Sequence, residues 1–420
     1  MRIFKFGGAS VKDPEAVKNV ARVLQHEGTE NTLVVISAMG KMTNAFEVLI
    51  DAYYNKKNNL NEALTFIQDF HFTMLQGLFS TESHEVYSKV NSLFGELSGF
   101  MIRNESRNYN YVYDQMVGYG ELLSTIIVSE YLQEIGIQNT WLDVREFIKT
   151  DTDYRDAKIN WELTEQIIQE KVNTTQLNIT QGFLGSHEQQ TTTLGREGSD
   201  YTAGIFAYCL NATSVTIWKD VEGVLNADPR VFSETQLLEE ISYAEAIEMA
   251  FYGASVIHPK TIQPLEKKSI PLFVRSFDDL TKKGTKVTKG VLLKPLTSCF
   301  IVKKNQILIS ISAKDFSFMV EDNISHVFRK LHDYQLKVNL IQNSALSFSV
   351  CVDDKFNNFE AFYAKLQEMY VIKSYKEVTL YTIRHFNDEA IDSIRKRGKS
   401  IIRQINTETA QLVIQENMHS

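Results

Sequence analysis

Arg2-Ile3-Phe4-Lys5-Phe6-Gly7-Gly8-Ala9-Ser10 is a short apolar run that ends in paired glycines, and Thr32-Leu33-Val34-Val35-Ile36-Ser37 repeats the texture thirty residues on. Between them lies a helical pattern led by Asp13-Pro14-Glu15, so the opening reads as strand, loop, helix, strand. Further strand candidates at 177–184, 214–218 and 271–275 are separated by helical stretches. This alternation predicts an α/β protein with a mainly parallel central sheet covered on both faces. Ligands of such sheets bind beyond the carboxyl ends of the strands, where the candidate motifs fall. Residues 51–114, polar and aromatic without β-branched runs, read as an inserted helical segment.

The glycines after the first strand let backbone N–H groups approach a polyphosphate without a Cβ in the way, and Lys5 then stands beside the anion. Neither a Walker A loop, a dinucleotide G-x-G-x-x-G nor the H-R-D set of protein kinases occurs. A formal net charge of -8 without a compensating basic cluster argues against a nucleic-acid partner. The dense patch Arg395-Lys396-Arg397-Gly398-Lys399 reads as a helix end closed by Gly398. Cys209, Cys299 and Cys351 are far apart and read as core residues rather than a zinc site or disulfide framework. No run of eighteen or more apolar residues and no secretory signal is present, so no membrane span and a cytoplasmic location are expected.

A chain of 420 residues exceeds one core, and the texture changes near 285–298. Beyond it, 307–352 runs as strand (Ile307 to Ser312), helix (Asn323 to Tyr334) and two strands around Asn343-Ser344. Residues 376–417 repeat the order, with a helix from Asp388 to Arg397. The expected domains are therefore 1–290, 300–370 and 371–420, the last two being small βαββ modules for sensing ligands. The second is expected to be shortened, for want of a further helix and strand.

Five ordered motifs make the resemblance specific. They are Lys5-Phe6-Gly7-Gly8-Ala9-Ser10, Val34 to Gly40 with Thr43, Gly118-Tyr119-Gly120-Glu121, Gly195-Arg196-Glu197-Gly198-Ser199-Asp200, and Trp218-Lys219-Asp220 continuing to Asp228-Pro229-Arg230. Tyr252-Gly253-Ala254 with Ile257-His258-Pro259-Lys260 follows them. In this order they resemble the aspartate kinase branch of the amino acid kinase family. The resemblance implies a three-layer α/β/α kinase domain followed by ACT-type modules. The implied activity converts ATP and L-aspartate to ADP and 4-phospho-L-aspartate, the first step shared by lysine, threonine and methionine biosynthesis.

Moving a γ-phosphoryl group to a carboxylate joins two anions, so fixed cations and N–H donors are needed more than a base. Lys5 is the leading candidate for stabilising that charge. The resemblance offers Asp200 as the carboxylate that holds Lys5, although Asp200 also suits the cap of a helix beginning near Tyr201. It also implies Arg196 on the α-carboxylate of aspartate and Glu121 on its α-ammonium, surface ion pairs being the competing account. Ser37, Thr43, Phe183 and Ser199 correspond to positions that line the acceptor pocket. Lys5, Gly7, Gly8, Ser10, Lys219, Asp220, Leu225 and Arg230 correspond to the nucleotide side, with Mg2+ held mainly by phosphate oxygens and no protein ligand named.

Two departures matter. Ser255 stands where many members have a lysine reaching the ATP phosphates, and either Lys219 or Lys260 is expected to supply the replacement charge. In the regulatory region, Val320 to Ile324 and Val338 to Ser344 lack the glycine and aspartate of an amino-acid effector site, leaving Asn339 and Ser344 to accept hydrogen bonds. Weak or absent lysine inhibition is expected, with a homodimer as the default assembly. Two other readings fit the sequence: another small-molecule kinase of the same superfamily, and a catalytically silent amino-acid sensor.

Overall fold

The structure, a computed structural model, describes residues 1–254, 257–315 and 317–416; the candidate Ser255 lies outside them. The described elements begin with β1 (Arg2–Phe6), α1 (Pro14–Glu27), β2 (Thr32–Ile36), α2 (Met42–Tyr54), α3 (Leu60–Leu78), α4 (Glu85–Arg103), α5 (Tyr109–Val117) and α6 (Tyr119–Glu134). There follow β3 (Thr140–Leu142), α7 (Val144–Phe147), α8 (Trp161–Lys171), β4 (Asn178–Gln181), β5 (Leu184–His187), β6 (Gln190–Thr193), α9 (Gly198–Cys209) and β7 (Ser214–Lys219). Next come β8 (Glu240–Ser242), α10 (Tyr243–Tyr252), α11 (Pro259–Lys267), β9 (Leu272–Ser276) and β10 (Thr285–Thr288). The chain divides into two units, the first holding 1–224, 237–247 and 256–293, the second 225–236, 248–255 and 294–420.

In the first unit the sequence logic of the opening is visible in α1. Asp13 caps it by accepting the Ala16 N–H at 2.8 Å, Pro14 starts it, and it ends at Gly28 with φ 84°. Its buried face, Val17, Val20, Ala21 and Leu24, leaves the polar residues outside. The eight-stranded sheet runs β3-β4-β2-β1-β7-β9-β10-β8, with only the β9–β10 pair antiparallel. β2 lies on one side of β1 and β7 on the other, so the strand order reverses at β1. Such a reversal opens a crevice at the carboxyl ends of the strands.

Those ends are stitched together in register. The Phe6 carbonyl accepts the Ser37 N–H and the Ile36 carbonyl accepts the Gly182 N–H, both at 3.1 Å. The expected strand at 177–184 is in fact two, β4 and β5, broken at Gly182-Phe183, where Phe183 has φ 71°. A phenylalanine in that region is strained, and it turns the chain out of the sheet. The inserted segment is helical as read, in α3, α4 and α5.

The second unit contains β11 (Cys299–Ala313), α12 (Glu321–Asp333), β12 (Lys337–Asn343), β13 (Phe348–Asp353), α13 (Phe359–Leu366), β14 (Tyr370–Arg384), α14 (Asp388–Arg395), β15 (Gly398–Ile405) and β16 (Thr409–Glu416). They form one antiparallel sheet in the order β12-β13-β11-β14-β16-β15. β11 and β14 pair along their lengths through a bulge between Lys303 and Leu308. The second half of β11 joins β13, while the second half of β14 joins β16. The expectation that the second module lacks a strand is therefore corrected: the first half of β11, which precedes both modules in sequence, supplies it. Each half has its own core, Ile309, Phe348 and Phe362 in one, Tyr381, Ile391 and Leu412 in the other.

Phe232, from the 225–236 segment, packs on that second core. Its ring centroid lies 5.0 Å from that of Phe300 and it carries the Arg397 guanidinium 4.5 Å above it. Gly398 is also corrected, since it opens β15 rather than closing α14. A Cβ there would fall 2.2 Å from the Gln415 carbonyl oxygen, so only glycine lets the strands meet. All three cysteines are buried, and burial pushes the Cys209 and Cys351 thiols up to about 12. Among the described residues no helix is long and apolar enough to cross a membrane.

The Gly182 contact is testable. A Cβ at Gly182 would stand 2.4 Å from the Ser199 Cβ and 2.5 Å from its Cα, so Gly182→Ala must displace the start of α9. The expected cost is about 1–3 kcal/mol. The three tryptophans, Trp141, Trp161 and Trp218, all lie in the first unit, so their fluorescence in a denaturant titration reports that unit.

Candidate active site

Lys5 stands one residue before the carboxyl end of β1, paired in register with Val35 of β2 and Ile217 of β7. Its Nζ lies 2.6 Å from Asp200 Oδ1, and the two side chains are 9% and 1% exposed. Buried charges persist only in pairs, and this pair joins β1 to the first turn of α9. Asp200 is therefore not the capping residue. The helix begins at Gly198, three residues earlier than expected, after Glu197 in the left-handed region at φ 56° with no side-chain cap.

The glycines fit tightly around the pair. A Cβ on Gly7 would sit 3.3 Å from Lys5 Nζ, and one on Gly8 would meet the Gly40 and Ala38 carbonyls at 2.6 and 2.8 Å. Gly8 thus lets the first loop and the loop after β2 run against each other, joined by the Gly40 N–H on the Gly8 carbonyl at 3.0 Å. A Cβ on Gly198 would strike the Phe183 ring at 2.6 Å, and Phe183 donates its N–H to Thr202 Oγ1 at 3.0 Å. Phe183 and Ser199 are therefore walls packed around the start of α9. The partial positive charge at a helix start favours an anion.

Glu121, in the first turn of α6, is buried, with the backbone N–H groups of Glu121 itself and of Ala38, next to Ser37, favouring its charged form. Burial outweighs that influence and pushes it up to about 8, so without a cation beside it the carboxyl favours its protonated form at neutral pH. Oε2 of Glu121, Ser10 Oγ and Asp200 Oδ2 are buried without hydrogen-bond partners among the described residues. Such atoms are costly unless a ligand meets them. Thr43 is half-buried in the first turn of α2, and Ser37 is half-buried at the exit of β2.

Arg196 is exposed, four residues before Asp200. The imidazole of His258 is held below its ordinary range, chiefly by burial, and it feels the charges of Glu197, Lys260, Arg196 and Asp200. Those groups accordingly share one neighbourhood, with Lys5 bound to its last member. Lys260 reaches the Asp156 carboxylate and, at 3.4 Å, the Leu194 carbonyl. Lys219 closes β7, and Asp220 beyond it is exposed. Leu225 and Arg230 belong to the second unit, where the Arg230 guanidinium clasps Asp228 at 2.8 Å.

Two acidic residues escaped the sequence reading. Asp114 is buried in α5 and accepts the Thr193 N–H and hydroxyl, both at 2.8 Å, and the Arg155 N–H at 3.1 Å. Its sequence signal is an acid inside the apolar run Val112 to Val117. Asp156, in the loop beside Gly195, carries no such signal.

A strand-end lysine paired with a helix-start aspartate, glycine loops on both sides and a buried glutamate define a small-molecule phosphotransferase site. The model of the amino acid kinase family matches residues 1–276. Lysine-sensitive aspartokinase 3 of Escherichia coli (strain K12) is 33% identical over 356 residues, covering 84% of this chain and 78% of that protein. The crystal structure of E. coli aspartokinase III with lysine and aspartate has a TM-score of 0.83 at 27% identity, over 99% of this chain and 96% of that one. The same enzyme with aspartate and ADP gives 0.81 at 26% identity, over the same shares. The chain belongs to the amino acid kinase family. Within it, the chain is an aspartate kinase.

Glu121 makes stability depend on pH. An unfolded glutamate loses its proton at about pH 4, whereas native Glu121 keeps it to about 8. Between those values the native state binds more protons, so the ligand-free protein loses stability as pH rises. Denaturation midpoints measured across that window should flatten in Glu121→Gln, and an unchanged slope would show that Glu121 is ionised.

Proposed function

We propose that Lys5, Asp200 and Arg196 carry the phosphoryl transfer of this aspartate kinase, with Glu121 selecting the α-ammonium of the acceptor. A side-chain carboxylate oxygen of L-aspartate attacks the γ-phosphorus of ATP, the bond to the bridging oxygen breaks, and ADP leaves with that oxygen. No proton needs removal, so the work is neutralising charge. The observation that carries this reading is the buried Lys5–Asp200 pair at 2.6 Å. Asp200 fixes the ammonium, and the N–H groups that start α9 add partial positive charge. Arg196, without a side-chain partner among the described residues, suits a two-pronged clamp on the α-carboxylate.

Glycines 7 and 8, Ser10, Lys219 and Asp220 are the residues we assign to the nucleotide. Mg2+ fits beside Asp200, whose Oδ2 is a buried oxygen without a hydrogen-bond partner among the described residues, with phosphate oxygens supplying most of its coordination in this reading. When bound, the ion would neutralise phosphate charge. We infer weak or absent inhibition by lysine, because Asn339 is engaged with Gln306 and Lys303, and Ser344 with Ser347. The β12 edge, with Ile341 and Leu346 exposed, supports pairing with a second copy. We place the enzyme in the cytoplasm, as the first step towards lysine, threonine and methionine.

Trapping with hydroxylamine in the presence of L-aspartate and MgATP should yield the hydroxamate of an acyl phosphate. Lys5→Met is expected to lower kcat by about 10²–10³-fold, and full activity in that variant would exclude Lys5. A cation beside Glu121 favours its ionised form, so aspartate binding at about pH 7 should release close to one proton. Titration calorimetry in buffers of different ionisation heat reads that proton, and its absence would detach Glu121 from the ammonium.

A further inference from the structure

Three segments distant in sequence close on one short stretch, Thr193 to Arg196. From α5, buried Asp114 holds Thr193 by its N–H and hydroxyl and holds Arg155 by its N–H. From the 151–157 loop, Ala157 donates its N–H to the Thr193 carbonyl at 2.9 Å. That loop presses so closely that a Cβ on Gly195 would meet Asp156 Oδ1 at 2.6 Å and the Arg155 carbonyl at 3.1 Å. From α11, Lys260 reaches over both, its ammonium on the Asp156 carboxylate and 3.4 Å from the Leu194 carbonyl.

Ordinary stability does not account for this last contact. The Lys260 and Asp156 side chains are 37% and 72% exposed, and ion pairs of that kind contribute little. Lys260 also lies in the first turn of α11, where His258 caps the helix by accepting its N–H at 3.2 Å. A cation there opposes the helix dipole. Arg155 holds φ 72°, a region non-glycine residues avoid unless the surroundings impose it. Strain and an unfavourably placed charge thus converge on the two residues that lead into Arg196.

We propose that Asp156 and Lys260 form a latch that positions Gly195 and Arg196, and that Lys260 therefore serves the acceptor side rather than the ATP phosphates. The latch rests on the reading of Arg196 as the clamp for the aspartate α-carboxylate. Lys260 ties the Leu194 carbonyl and the Asp156 carboxylate together, which fixes the peptide plane before Gly195. Glycine at 195, with φ 77°, would otherwise let the following guanidinium swing. Both latch residues are positioning residues, with no contact to the reacting atoms.

The test is steady-state kinetics on the full chain with aspartate and ATP varied separately. Asp156→Asn and Lys260→Gln should each raise KM for aspartate about fivefold, with KM for ATP unchanged. Exchanging the charges, Asp156→Lys with Lys260→Asp, should recover most of the loss, which a general packing defect would not permit. The latch is overturned if Lys260→Gln raises KM for ATP while Asp156→Asn leaves both constants alone, or if the exchanged pair is no better than the single variants. Arg196→Lys is run alongside: an unchanged KM for aspartate there would refute the clamp itself, separately from the latch. Because Asp156 is exposed and Lys260 only half-buried, the variants are expected to keep the wild-type unfolding midpoint.

Discussion

A lysine and an aspartate held 2.6 Å apart, almost without exposure, set the terms for the rest of the first unit. Taking two charges out of water costs several kcal/mol each unless the partner is well placed. Placement here comes from two directions. β1, wedged between β2 and β7, delivers Lys5, and the first turn of α9 delivers Asp200. That turn can reach the sheet only because Gly182 and Gly198 have no side chains to hold it off. The strained Phe183 is the price of bending the chain between them.

The first unit also keeps buried polar atoms that its own fold does not satisfy. Ser10 Oγ, Glu121 Oε2 and Asp200 Oδ2 come from the loop after β1, α6 and α9, and none has a hydrogen-bond partner among the described residues. On the proposed role of Glu121, a buried glutamate that keeps its proton in the empty site and ionises beside the ammonium of the acceptor would leave no bare charge behind when the ligand departs. Such a site would trade stability of the empty state for selectivity in the occupied one.

Legibility in the sequence followed burial. β1, β2 and β7 are short apolar runs buried on both faces, so their texture reveals them without help from neighbours. Lys5 stood out in the sequence because paired glycines follow it at the end of an apolar run, whereas Glu121, Arg196 and Asp200 entered only through the resemblance of their motifs to the aspartate kinase branch. The start of α9 was not, since Glu197 enters the helix from a left-handed conformation without a capping side chain. The first half of β11 was hidden for a topological reason, because it serves a module that follows it in the chain. Asp156 and Lys260 are 104 residues apart and ordinary in type, and only the folded chain brings them together beside Leu194 and Gly195.

The burial of every cysteine has a practical consequence. Thiols that are shielded and hard to ionise react with alkylating reagents only when the surrounding structure opens. Cys209 lies in the first unit, Cys299 and Cys351 in the second. Peptide mass mapping of iodoacetamide uptake over time would thus clock the breathing of each unit independently in the unmodified enzyme, with no engineered probe.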